Sequence, residues 1–141
     1  MNTITTNAGE FDKEINLIQA TATRTKGQIV RIGSSSAGLV DVTIADDTNV
    51  YKVGVVGQDA TSGTKYPLIV KGQVTCTVPS GTYVAGDGVD ILDGAVRPST
   101  TTAEKPNGVT TNNDFGVVIT GGVGVTEIVI YLYGEAVTAQ T

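Results

Sequence analysis

Two clusters of carboxylates are the first groups in the sequence equipped for chemistry. Asp46 and Asp47 stand beside Asn49, with Asp41 just upstream, and together they offer oxygen ligands of the kind calcium takes. The glycine and the terminal glutamate that an EF-hand loop needs at fixed spacing are missing. Turn chemistry explains the group more simply. Asp87, Asp90 and Asp93 recur every three residues, which on a strand sends Asp90 to the opposite side from the other two. They do not converge. These acids, Asp41 and Asp90 included, read as solvated turn or surface carboxylates, and the sequence calls for no metal and no cofactor.

Other reactive groups are few. The chain has no His, which removes the Ser-His-Asp triad, the Cys-His pair and His-ligated zinc or haem. Its single Cys, Cys76, falls on the apolar face of an alternating segment and reads as a small buried hydrophobe. Serine and threonine hydroxyls have only lysine to serve as a base. The 14 acids leave paired-carboxylate hydrolysis formally open, but 5 Tyr, 2 Phe and no Trp make a poor sugar-binding cleft. Gly121-Gly122-Val123-Gly124 is the one glycine cluster resembling a phosphate loop. Phosphate cradling needs a helix next, and the β-branched run Val125 to Tyr133 follows instead. An enzyme is not expected.

The elements that carry these residues are strands. Of 141 residues, 22 are Thr, 20 are Val and 18 are Gly, while Leu occurs 5 times, so strand and turn formers dominate. Net charge is −5 with no basic run, which argues against nucleic acid or an anionic membrane as partner. No apolar stretch approaches a membrane span, and the N-terminus lacks the pattern of a signal peptide.

Residues 1–14 read as an extended, Thr-rich arm, residues 15–134 as one β-domain and residues 135–141 as a polar tail. Strands are predicted from Ile15 to Thr23, Gln28 to Ile32, Leu39 to Ile44 and Asn49 to Val56. In the third, Val40, Val42 and Ile44 share one face and Asp41 and Thr43 the other. Val53-Gly54-Val55-Val56 is apolar on both faces and belongs in the centre of a sheet. Tyr66 to Val78 alternates most clearly, with Gly72 marking a bend or bulge. Asp93-Gly94 predicts a two-residue hairpin, and Ser99 to Asp114 a long polar loop. A last hairpin turns around Gly121 to Gly124. In its second strand Ile128, Ile130 and Leu132 form the core face, while Glu127, Val129, Tyr131 and Tyr133 lie opposite. A half-apolar face rich in Tyr has the composition of a contact surface, which makes Val129, Tyr131 and Tyr133 the candidate subunit interface.

The order of these motifs resembles the small head decoration, or cement, proteins of tailed bacteriophages. The resemblance rests on Val53-Gly54-Val55-Val56, then Leu68-Ile69-Val70-Lys71-Gly72-Gln73-Val74, then Val84-Ala85-Gly86-Asp87-Gly88-Val89, then Gly116-Val117-Val118, and covers roughly residues 27–133. It implies a small all-β protein with a β-barrel or β-tulip body that binds the outside of an expanded capsid. The partners it implies are the major capsid protein and two further copies of the chain in a homotrimer. It also implies a capsid-contacting arm, which places Ile4, Thr5, Thr6 and Phe11 as candidate capsid contacts. Synthesis would be in the host cytoplasm, where a protein with one Cys works without disulfides. The alternative reading is a carbohydrate- or host-recognising β-domain of a virion or bacterial surface protein, which the low aromatic count disfavours.

Overall fold

The computed structural model describes residues 13–36, 38–44, 50–92, 94–98, 114–134 and 137–138, and no helix occurs among them. Eleven strands follow in order: β1 (Glu14–Gln19), β2 (Ile29–Ser35), β3 (Gly38–Val42), β4 (Val50–Tyr51), β5 (Val53–Val56), β6 (Lys65–Tyr83), β7 (Gly88–Leu92), β8 (Ala95–Pro98), β9 (Gly116–Thr120), β10 (Gly122–Leu132) and β11 (Val137–Thr138). The expected all-β class is what the chain adopts.

Strand β6 organises the molecule. Its first part pairs with β5 on one edge and β1 on the other, and β1 also pairs with β3. The order β1-β3-β2-β5-β6 therefore returns to β1 and closes a five-stranded barrel. At Gly72 the partner on the β1 edge changes. Glu14 sits opposite Lys71, and Leu132 of β10 sits opposite Gly72. From there β6 runs beside β10 and starts a second sheet, β6-β10-β9-β7-β8. Gly72 has φ +106°, a conformation side chains rarely adopt, so the predicted bend lies where one strand passes from barrel to sheet. Strand β6 also continues to Tyr83, past the expected end at Val78.

Two cores result, and β5 is the wall between them. Ile18, Val30, Val56, Tyr66, Leu68 and Val70 fill the barrel. Val53 and Val55 face the other way, into a core with Cys76, Ile91, Phe115 and Ile130. That is why all four residues of β5 are buried, as a central strand requires. Gly54 sits so close to Leu68 that a Cβ there would lie 2.6 Å from its Cγ. Ile128, Ile130 and Leu132 are all buried, as the alternation of β10 predicts. Each such aliphatic side chain stabilises the fold by roughly 1.5–3 kcal/mol.

Several expectations need correction. Strand β1 ends at Gln19 instead of Thr23, because the chain then turns inward to place Arg24. The β2–β3 hairpin is tighter than a 33–38 loop, since Ser35 already pairs with Gly38. On β3 the buried residue is Asp41, at 0% exposure, while Val40 and Val42 are half-buried. The last hairpin is wide. Thr120 faces Val129, and the stretch between runs along β6, with Gly122 opposite Tyr83 and Glu127 opposite Thr77. Gly121 allows that approach, because a Cβ there would lie 1.9 Å from the Tyr83 carbonyl oxygen. The β7–β8 hairpin has the predicted register, with Leu92 opposite Ala95 and Gly94 at φ +77°. Within the stretch read as a tail, β11 pairs with β4.

Candidate functional site

The most polar buried cluster is where chemistry would be sought first. Asp41 Oδ1 accepts hydrogen bonds from the Thr21 backbone N (2.9 Å), the Thr21 hydroxyl (2.7 Å) and Arg24 Nη2 (2.9 Å). Its Oδ2 accepts from Arg24 Nε (3.0 Å) and the Tyr66 hydroxyl (2.7 Å). Arg24 Nη1 donates to the Thr43 hydroxyl at 3.2 Å. Burial alone pushes the Asp41 carboxyl up, but Arg24, Tyr66 and Thr21 outweigh it and hold the group at about 2. Burial and the Asp41 charge push the Tyr66 hydroxyl well above its ordinary value. Five donors occupy one carboxylate that has no exposed surface, so no substrate reaches it. The cluster acts as a clasp. It ties the segment after β1 to β3 and β6 at the seam where β1 and β3 share a single residue pair, Gln19 with Val40.

Asp90 is the second buried acid, 1% exposed, and it accepts from Arg97 Nε at 2.8 Å directly across the β7–β8 pair. Asp41 and Asp90 were expected in solvent; each is instead buried with an arginine. Cys76 is buried as expected, and desolvation, then the charge of Glu127, pushes its thiol up to about 12. A thiol so held is no nucleophile at neutral pH. Among the described residues no three His, Cys, Asp or Glu side chains gather to hold a metal. Asp46, Asp47, Asn49, Asp93, residues 99–113 and the predicted capsid contacts Ile4, Thr5, Thr6 and Phe11 lie outside the described residues.

The remaining candidate is the outer face of the sheet. Val129, Tyr131 and Tyr133 lie there half-buried, with the two tyrosine rings 6.5 Å apart and tilted by 53°. Tyr131 is flanked by Gln73 of β6 and Val117 of β9, so the tyrosines stand on a three-stranded platform. Strand β1 continues the same edge of β6 and presents Ile15 and Leu17, which are 53% and 64% exposed. Sequence reasoning singled out the three β10 residues but not Ile15 and Leu17. Their signal was the period-2 alternation of Ile15, Leu17 and Gln19 against Asn16 and Ile18.

Where β6 passes from barrel to sheet, a cleft of about 650 Å³ opens beside this face. Ile69 and Gln73 of β6 line it, with Lys13 at its start, Lys26 on one side and Glu127 and Val129 of β10 on the other.

No protein-family model matches the sequence, and no curated protein matches it significantly. Among solved structures, the fold is similar to that of the head fiber gp8.5 N base of bacteriophage phi29. The superposition has a TM-score of 0.53 and covers 87% of this chain and 96% of that one, at 9% sequence identity. At that identity the likeness is one of fold.

Proposed function

We propose that this chain is a non-enzymatic structural protein of a bacteriophage virion. In this reading it sits on the outer surface of the expanded capsid and stabilises it by bridging major capsid protein subunits, as a homotrimer. The observation that carries the reading is the fold shared with a phage head fiber base over nearly the whole of both chains. The motif order in residues 27–133, which resembles capsid decoration proteins, points the same way independently.

The outer face supports self-association. Val129, Tyr131 and Tyr133 combine apolar area with hydroxyls that tolerate a partly wet contact. A small domain buries only about two-thirds of its chain surface alone, so a copy-to-copy contact adds burial that the monomer lacks. Repeated over a shell, individually weak contacts sum to firm attachment through effective concentration. Within the fold, the two arginine-paired acids act as internal cross-links in a chain with a single Cys.

Purification of the native protein from infected cells tests this reading. The chain is expected to leave a sizing column with a particle of megadalton mass and to band with filled heads in a density gradient. Recovery only as a free small oligomer, with none on heads, would refute it.

A further inference from the structure

Strands β1 and β6 build one outer wall of the barrel, and their register places its side chains. Gln19 pairs with Lys65, Leu17 with Pro67 and Ile15 with Ile69. The alternate residues Ile18, Tyr66 and Leu68 fill the barrel, so these three pairs point outward. A wall in water carries polar groups at such positions. Here Ile15 and Leu17 are more than half exposed, beside the half-buried Pro67 and Ile69. Single exposed aliphatic side chains are ordinary, whereas adjoining ones rimmed by charge mark a contact surface.

The rim is cationic. Lys65 stands at one end of the apolar row, Lys71 at the other, and Lys13 lines the cleft that begins at Ile69. None of these lysines has an ion-pair partner among the described residues. Glu14, opposite Lys71, is the acid paired into the wall, and Glu127 lies beyond it on the β10 rim of the cleft. Asp59, which shares a shallow pocket with Lys65, accepts from the Lys26 backbone N–H at 2.7 Å. The chain as a whole carries −5, so the wall is opposite in sign to the molecule that bears it.

From this arrangement we infer that the β1–β6 wall docks a second protein, whose contact surface is acidic with apolar residues at its centre. Ile15, Leu17, Pro67 and Ile69 bury that centre, while Lys13, Lys65 and Lys71 pair with its carboxylates. Nucleic acid fits poorly, because phosphates leave the apolar row uncovered and a net charge of −5 repels a polyanion. A lipid surface also fits poorly, since no Trp or Tyr stands among the outward residues to anchor it. A second copy presenting the same wall would set lysine against lysine. The inference does not rest on the virion reading, and it concerns other residues than the Val129, Tyr131 and Tyr133 face.

The probes are a short peptide alternating glutamate with leucine and its lysine–leucine counterpart, titrated into the full-length protein and followed by amide NMR. The glutamate–leucine peptide is expected to shift the signals of Ile15 to Gln19 and Lys65 to Lys71, and the lysine–leucine peptide to leave them in place. Its affinity should fall several-fold from low salt to about 0.3 M, as screening of exposed charges requires. Lys13→Glu combined with Lys65→Glu should weaken binding roughly tenfold, and Leu17→Ser should weaken it as well. Lys52→Glu, at an exposed lysine before β5, should not. All four side chains are exposed, so these variants keep the fold. No shift with the glutamate–leucine peptide, equal shifts with both peptides, or shifts centred on Tyr131 would overturn the inference. Wall signals that move with protein concentration alone would also overturn it, and would assign the wall to a second copy.

Discussion

Replacing Arg24 with alanine is expected to destabilise the fold by about 3–5 kcal/mol, because it leaves the Asp41 carboxylate buried without its cation. That is a large share of the roughly 5–15 kcal/mol by which a domain is stable. The loss has a location. The barrel closes between β1 and β3 through one residue pair, so most of the seam's polar contact comes from the Asp41 side chain. Chemical denaturation of the Arg24→Ala protein measures the loss. Replacing Arg24, Asp41 and Tyr66 together with Met, Leu and Phe should restore much of it, since an apolar cluster of similar volume carries no desolvation cost. An Arg24→Ala protein as stable as the parent would mean the seam is held elsewhere.

The same clasp sets a pH dependence whose sign follows from Asp41. Its carboxyl lies at about 2 in the folded chain, below its ordinary value of 3.8. The stability it contributes is complete above the unfolded value and is lost as pH falls from near 4 towards 2. Over that window the folded protein should lose about 2 kcal/mol through this one group. Denaturation midpoints for Asp41→Asn should be lower throughout and much flatter across the same range.

Tyr131→Glu is expected to break self-association while leaving the monomer folded. The side chain is half-buried on the outer face and packs beside Tyr133, so a charge there lies on the proposed copy-to-copy contact without entering either core. Removing a central aromatic anchor typically weakens an interface by at least 2 kcal/mol, or about 30-fold in Kd. If the parent self-associates as proposed, sedimentation equilibrium should show the variant as monomer at concentrations where the parent is assembled, with thermal unfolding of the monomer little changed. Association equal to the parent's would remove this face from the interface and move attention to Ile15 and Leu17, which lie further along β6.

Much of the architecture was legible because local pattern and environment agree. Alternation fixed the buried faces of β6 and β10, and the doubly apolar Val53 to Val56 found its place between two cores. Gly72 and the Asp93-Gly94 turn were readable because backbone geometry limits which residues occupy such positions. What sequence missed depends on long-range partners. Asp41 looks like a solvent residue until Arg24, Tyr66 and Thr21 arrive from elsewhere in the chain. The sequence hint was an acid alternating with valines in Val40-Asp41-Val42, within a segment that otherwise reads as a strand. Asp90 was likewise readable only once the hairpin register put Arg97 opposite. The cleft was invisible for a similar reason, since it exists only where β10 takes over the edge of β6 from β1.

Co-sedimentation of the purified chain with empty phage capsids, before and after expansion, decides whether it has the proposed capsid-binding role. The expected result is saturable binding to expanded shells at a fixed copy number, little binding to unexpanded ones, and higher resistance of decorated shells to heat. Absence of binding to expanded shells, under conditions where the chain is folded, would contradict it.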